Sequence, residues 1–249
     1  MTPNSMLPES RNIADTYWAA DLGCEAGALR PKEPRVQAQW GRHVDYNGAF
    51  ILVLDGAPVV SVPPPLLAVV SPTSAEFRAD VVADPKRLRQ FLPGSDPTRM
   101  VGPAHLYYAD QTCFRSSSAP LARPLTPLDE AAFRSLQAAC TPGEWEAKEF
   151  ALAPDCTHGV FDPVGELLAV ANFRVWGERI AHLGVLARPD ARGKGHGTSA
   201  VASVALHALQ SGYLLQYRVL ARNAPSIRIA QKLGFQHYGW SMAARFGAA

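Results

Sequence analysis

The segment RPDARGKGHGTSA, residues 188–200, restricts the possible folds of this chain more than any other part of the sequence. Gly193, Gly195 and Gly197 alternate with polar residues, and an apolar pattern of helical period follows over residues 201–209. The first backbone N–H groups of a helix have no partner within it, and the helix dipole favours negative charge there. Because glycines leave no side chain in the way, an anion can approach these groups closely. The segment therefore predicts an anion-binding turn between a strand and a helix.

The glycine spacing excludes the two commonest nucleotide-binding loops. A Walker loop needs Ser or Thr directly after its lysine, whereas Lys194 is followed by Gly-His-Gly. The dinucleotide pattern Gly-x-Gly-x-x-Gly, with an acidic residue about 20 positions later, is also missing. Arg192 and Lys194 add positive charge and Thr198 adds a hydroxyl, which favours a phosphate as the anion. A flexible, solvent-exposed loop is the alternative interpretation.

A second segment, RNAPSIRIAQKLGF at residues 222–235, combines Asn and Ser with an apolar helical pattern that ends in Gly-Phe. Together the two segments resemble the signatures of the GNAT superfamily of acyl-CoA-dependent N-acyltransferases. They occur in this chain in the same order as in that family. The resemblance covers residues 121–246, about half of the chain. The signature positions are filled by Arg192, Gly195 and Gly197, and then by Asn223, Ser226, Gly234 and Phe235.

The resemblance implies acetyl-CoA as a co-substrate and no metal. A strand would pair through its backbone with the pantetheine arm, the glycine turn would hold the pyrophosphate, and Asn223 and Ser226 would face the thioester end. Asn223 is also an ordinary helix N-cap, and Gly234 an ordinary C-cap. The implied acetyl-CoA-binding residues are Val185, Leu186, Ala187, Arg192, Gly193, Lys194, Gly195, His196, Gly197, Thr198, Asn223 and Ser226.

The catalytic groups are less well marked than the binding groups. Many members of the family carry a tyrosine seven residues after the asparagine, where it protonates the leaving thiolate, but this chain has Ala230 there. Tyr238 is a substitute acid or a packed strand residue. An amine of pKa about 10 must lose a proton before it attacks, and His182 is a candidate base or a histidine hydrogen-bonded within the sheet. Glu144 and Glu146 are further candidate bases, or part of a solvated acidic loop.

The Ser- and Pro-rich stretch at residues 115–127 predicts a boundary between domains 1–120 and 121–249. Downstream of it, helical and strand patterns predict an α/β (α+β) domain with a mixed, mainly antiparallel sheet flanked by helices. Its second helix is predicted to begin at Thr198. Upstream, a hairpin around Asp55-Gly56, one or two short helices and a further strand predict an α+β domain. That domain is either a degenerate GNAT-like copy or an unrelated substrate-binding or dimerising domain.

Composition limits the partners of the chain. A net charge of +2 with 18% charged residues does not favour nucleic acid, and the longest apolar runs are too short and too proline-rich to span a membrane. The four cysteines form no Cys-x-x-Cys pair, which predicts reduced thiols. The first residues show no basic region followed by an apolar one, so we expect a cytoplasmic protein.

These observations predict an N-acetyltransferase that moves an acetyl group from acetyl-CoA to a primary amine by direct attack. The acceptor is a small molecule or a peptide, and the sequence does not identify it. The oligomeric state also stays open, with a homodimer as one option. Because Ala230 removes the usual acid and the base is unassigned, the alternative is a catalytically silent protein that binds or senses acyl-CoA.

Overall fold

The computed structural model describes residues 5–116, 122–146 and 150–246, except for the side chains of Arg42, Pro97, Thr98 and Glu146. The described residues form two compact units, and neither unit is continuous in sequence. The first unit contains residues 5–10, 107–116, 122–146, 150–218 and 223–236, and the second contains residues 11–106, 219–222 and 237–246. The predicted boundary at residue 120 stays a prediction.

The described residues form eight α-helices and ten β-strands. The helices are α1 (Pro8–Leu22), α2 (Leu67–Val70), α3 (Ala79–Val82), α4 (Pro85–Leu88), α5 (Glu130–Ala139), α6 (Pro142–Glu146), α7 (His196–Gln210) and α8 (Ala224–Lys232). The strands are β1 (Arg35–Ala38), β2 (Gly48–Val53), β3 (Pro58–Val62), β4 (Ser95–Ala109), β5 (Ala122–Pro124), β6 (Thr157–Phe161), β7 (Leu167–Trp176), β8 (Ile180–Ala187), β9 (Leu214–Leu220) and β10 (Gln236–Phe246).

Five strands of the first unit form a sheet in the order β9–β8–β7–β6–β5. The pairs β5–β6, β6–β7 and β7–β8 are antiparallel, and β8–β9 is parallel. Neighbouring strand residues point to opposite faces, so Val185 lies against α7 while Leu186 packs with Phe133 and Leu136 of α5. This arrangement confirms the predicted mixed, mainly antiparallel sheet with helices on its faces.

In the second unit the strand order is β1–β3–β2–β10–β4. The hairpin between β2 and β3 is confirmed, with Asp55 at φ 53° and Gly56 at φ 124° in its turn. Its apolar face belongs to a buried cluster that includes Ile51, Val60 and Phe77. Whether this unit is a degenerate copy of the first unit's fold stays a prediction.

One helix boundary differs from the sequence prediction. The helix expected from Thr198 begins two residues earlier, at His196. Gly195, at φ 88°, occupies the N-cap position, where a left-handed backbone conformation ends the glycine turn. The earlier start moves the first unpaired N–H groups of α7 into the glycine turn itself.

A buried histidine lies between β6 and α7 in the first unit. Nδ1 of His158 is 2.8 Å from Oγ of Ser203, and that hydroxyl donates to the carbonyl of Ala122, so it accepts from Nδ1–H. Nε2 of His158 has no hydrogen-bond partner within the described part of the chain. Burial, together with the nearby His207, lowers the pKa of His158 to about 4.

We expect His158 to make the folded state sensitive to acid. In the unfolded chain the His158 imidazole takes up a proton below pH 6.5, whereas in the folded chain it does so only near pH 4. The unfolded state therefore holds more protons between these two pH values. The free energy of unfolding therefore falls as the pH drops through this window, by up to about 3 kcal/mol from this group. Urea unfolding of the wild type and of His158→Gln at pH 7.5, 6 and 5 measures it. A stability difference between the two proteins that is the same at every pH would contradict it.

Candidate active site

A cleft of about 520 Å³ opens in the first unit at the start of α7. Every residue implied to bind acetyl-CoA lines this cleft except Lys194. The lining therefore joins the end of β8, the glycine turn and the beginning of α8, which are separate in sequence. It also includes six other residues, Glu144, Ala191, Pro225, Arg228, Ile229 and Lys232.

The cleft lies where β8 and β9 part. Their parallel pairing covers Ile180–His182 with Leu214–Gln216 and ends at the pair His182–Gln216. Beyond that pair, residues 183–187 of β8 keep their register with β7 but have no register partner on β9 in the described part of the chain. Backbone groups of β8 that face away from β7 can therefore bind an extended ligand as a further strand would. We call this point of divergence the fork.

The glycine turn leaves its backbone open towards the cleft. Gly193 and Gly195 have φ values of 80° and 88°, which residues other than glycine rarely adopt. Gly197 has an ordinary helical conformation, but a Cβ there would lie 3.6 Å from Val185 and 3.6 Å from Ile229, both of which line the cleft. A larger side chain at position 197 would therefore extend into the cleft.

One carboxylate lies among the basic side chains of the cleft. Oε1 of Glu144 accepts from Arg192 at 2.8 Å, and its Oε2 accepts from the backbone N–H and the hydroxyl of Thr141. The Thr141 backbone N–H and hydroxyl and the Arg192 guanidinium lower the pKa of Glu144. Arg192 also donates to the carbonyl of Ala187 at 3.1 Å, which ties the turn to β8. Glu144 is thus a weaker base than an ordinary glutamate.

Both structural interpretations of the second signature are confirmed. Asn223 caps α8, because its side chain accepts from the backbone N–H of Ser226 at 3.2 Å. Gly234 ends that helix at φ 80°, and a Cβ there would collide with the carbonyl oxygen of Cys113. Ala230 is fully buried and brings no hydroxyl to the cleft.

A buried tyrosine that was not among the sequence-predicted site residues lies close to Ser226. The hydroxyl of Tyr217, on β9, is close to the Ser226 side chain but forms no hydrogen bond of normal geometry among the described residues. Burial raises the pKa of Tyr217 to about 12, so the hydroxyl stays protonated at neutral pH.

His182 lies at the fork and does not line the cleft itself. Its Nδ1 is 2.7 Å from Oε1 of Gln216, and its ring stacks on Trp176 with the centroids 3.9 Å apart. Its side chain is on the same face of β8 as Leu186, because the two positions differ by four residues along the strand. This is the face that packs against α5.

Tyr238 is not among the residues that line the cleft. Tyr238 belongs to the second unit, where it is 4% exposed and its hydroxyl donates to Asp15. The side chain of Glu146 lies outside the described residues. Among the described catalytic candidates, Glu144 alone lines the cleft.

One basic face of the site was not predicted from the sequence. Pro225, Arg228, Ile229 and Lys232 of α8 line the cleft, and they follow the i, i+3, i+4, i+7 spacing of one helix face. This spacing was the available signal, since it also places Arg228 and Lys232 one turn apart. The two side chains add positive charge to the lining of the cleft.

Neither metal clusters nor membrane spans are found in the described ranges. No group of three or more His, Cys, Asp or Glu side chains there could hold a metal ion. None of the helices in these ranges is both long and apolar enough to cross a membrane.

Comparisons with known proteins identify the family of one part of the chain. The model of the acetyltransferase (GNAT) family matches residues 126–235, while a search of curated proteins finds no match. Among solved structures, an acetyltransferase of the GNAT family from Colwellia psychrerythraea is similar over 98% of both chains, with a TM-score of 0.55 and 14% identity. A GNAT-family structure from Novosphingobium aromaticivorans is similar over 63% of this chain and 69% of its own, with a TM-score of 0.49 and 24% identity. Residues 126–235 of this chain therefore form a domain of the acetyltransferase (GNAT) family.

Proposed function

We propose that this protein is an N-acetyltransferase that moves the acetyl group of acetyl-CoA to a primary amine by direct attack, without a covalent enzyme intermediate. Acetyl-CoA use is typical of the family. The observation that carries the proposal is the cleft, since it joins the open turn at the start of α7 to the unpaired edge of β8. The acceptor is a small molecule or a peptide.

The start of α7 suits the pyrophosphate of acetyl-CoA. About four N–H groups at the beginning of a helix lack partners within it, and the positive end of the dipole lies there. His196, Gly197 and Thr198 form this first turn. Arg192, Arg228 and Lys232 add positive charge around it, which makes this wall of the cleft suitable for a polyanion.

The edge of β8 suits the pantetheine arm. The five steps from Ala187 to His182 cover about 16 Å at about 3.3 Å per residue. The amide groups of the arm can form hydrogen bonds with backbone groups of this edge. One of these groups, the Ala187 carbonyl, already accepts a hydrogen bond from the Arg192 side chain. An arm extended along residues 187–183 brings the thioester to the fork, beside His182.

We assign His182 as the general base. A primary amine is mostly protonated at neutral pH, and an imidazole titrates in the range needed to remove that proton. Glu144 is the poorer choice, because its carboxylate is paired with Arg192 and its pKa is lowered. Acetyl-CoA supplies an activated acyl group. In the transfer the carbon–sulfur bond breaks as the carbon–nitrogen bond forms, and the sulfur leaves as a thiolate that takes a proton from water.

The test is a turnover assay on the full chain. Acetyl-CoA is incubated with a panel of amines that includes amino acids, polyamines, aminoglycosides and peptide N-termini, and the free thiol is measured. Thiol release that depends on one class of amine supports the proposal. Calorimetric binding of acetyl-CoA with no turnover on any amine would favour the silent binding or sensing protein instead, and the absence of binding would contradict both functions.

We expect Glu144→Gln to tighten CoA binding. Glutamine keeps an acceptor for the Thr141 N–H but removes the negative charge beside Arg192, which an incoming pyrophosphate must otherwise approach. A pair of exposed charges interacts by up to about 1 kcal/mol, which corresponds to up to about a fivefold lower Kd. Calorimetry at low and high salt measures it, and the gain should shrink at high salt. Equal or weaker binding by the variant at low salt would show that Glu144 does not oppose the anion.

A further inference from the structure

A chain of three side chains runs inward from the fork in the first unit. His182 Nδ1 is 2.7 Å from Oε1 of Gln216, and Nε2 of Gln216 donates to the hydroxyl oxygen of Tyr108. Gln216 and Tyr108 are both 0% exposed, whereas His182 is half-buried. The amide of Gln216 therefore lies away from water, and both of its polar atoms are hydrogen-bonded.

The position of this chain in the sheet is also specific. His182 and Gln216 are the last register pair of β8 and β9 before the strands part. Trp176, on the paired strand β7, stacks on the imidazole with an angle of 7° between the rings. The stacking sets the plane of the ring, and the Gln216 amide sets which nitrogen faces inward.

We propose that Gln216, held by Tyr108, is the positioning residue that keeps His182 in the tautomer with Nδ1 protonated and Nε2 carrying the lone pair. The inference rests on the proposed function in one respect, namely that His182 is the base. A carbonyl oxygen only accepts hydrogen bonds, so Oε1 of Gln216 requires a proton on Nδ1. In a neutral imidazole the other nitrogen is then the basic one.

The chemistry of Gln216 matters as much as its geometry. A carboxylate at this place would stabilise the imidazolium and raise the pKa of His182, which would favour a ring protonated before the amine arrives. A neutral amide orients the ring without that charge. Leaving the amide unpaired would be costly, since a buried polar group without a partner costs about 1–3 kcal/mol. Tyr108 satisfies its other end.

The direct test is nitrogen-15 NMR of imidazole-labelled protein, with the His182 signals assigned by their loss in His182→Ala. In the wild type we expect Nδ1 protonated and Nε2 unprotonated at pH 8. In Gln216→Leu we expect a mixture of tautomers, and in Gln216→Glu a pKa of His182 raised by about one unit or more. An Nε2–H tautomer in the wild type would overturn the proposal, because the Gln216 amide would then present its NH2 group to Nδ1.

Kinetics provide the second measurement and the control. Gln216→Leu should lower kcat on the order of 10- to 100-fold, which is less than the full contribution of a general base because His182 itself remains, with little change in the KM for acetyl-CoA. Gln216→Glu should move the acid limb of kcat/KM to higher pH and recover part of kcat. Leu215→Ala, a neighbouring buried change on β9, controls for simple loss of stability. If Gln216→Leu and Gln216→Glu lose activity only in proportion to the fraction of unfolded protein, Gln216 has a structural role alone.

The two measurements separate this inference from the proposed function. The NMR result does not require an active enzyme, so the expected tautomer without turnover would contradict only the proposed function. Turnover with unchanged NMR signals and an unchanged pH profile in both Gln216 variants would contradict only the positioning role.

Discussion

Acetyl-CoA binding should weaken by at least about 100-fold when Gly197 is replaced by leucine. That factor corresponds to about 2.7 kcal/mol of binding free energy. A Cβ at this position already lies at ordinary contact distance from Val185 and Ile229, so the rest of a leucine side chain must occupy the cleft between them. Calorimetry with CoA and acetyl-CoA measures the loss.

The matched control is Gly197→Ala. The backbone at Gly197 is helical, and alanine favours a helix by about 1 kcal/mol over glycine, so neither variant should disturb α7. Alanine adds only the Cβ, which fits at 3.6 Å from both neighbours. If Gly197→Leu keeps its fold by circular dichroism and binds acetyl-CoA as tightly as Gly197→Ala, the cofactor does not use this cleft.

Replacing His182 by alanine should lower kcat by about 100- to 10,000-fold while acetyl-CoA still binds. This is the range that general-base catalysis contributes. Without the base, the reaction depends on amine that is already deprotonated, so the residual rate should rise about tenfold per pH unit towards the amine pKa of about 10. Steady-state rates between pH 7 and 9.5 measure both effects once an acceptor is found.

The control for this prediction is His182→Gln, which keeps a polar side chain for Gln216 but cannot act as a base. It should be as slow as His182→Ala, with the same dependence on pH. A variant rate within a few-fold of the wild type would remove His182 from the mechanism. Parallel loss of activity in Glu146→Ala, with binding retained, would then indicate Glu146 as the base.

The elements that sequence patterns predicted well are those whose causes are local. The apolar period of residues 201–209, the Asn223 cap and the Asp55-Gly56 turn each depend on neighbours within a few residues, and the structure confirms all three elements. The helix α7 begins two residues earlier than the sequence predicted, because Gly195 caps it with a positive φ.

The candidate catalytic residues were harder to predict because their roles depend on distant partners. From the sequence alone, Glu144 is a candidate base or part of a solvated acidic loop. Its ion-pair partner, Arg192, is 48 residues away in sequence. Tyr238 follows the second signature closely and still belongs to the other compact unit, bonded to Asp15. Periodicity and spacing carry no information about such pairs, since the pairs form only when strands and helices pack.

The sequence by itself determined the glycine turn, the helix that follows it and the second signature, and with them the family of residues 126–235. These features follow from backbone freedom, capping and periodicity, which act over a few residues. Only the tertiary structure decided that β8 and β9 part after His182, that one face of α8 adds Arg228 and Lys232 to the cleft, and that buried Gln216 and Tyr108 lie behind the histidine. The reason is that these arrangements form only when strands and helices pack, and the partners in space, such as those of Gln216, are 34 and 108 residues away in sequence.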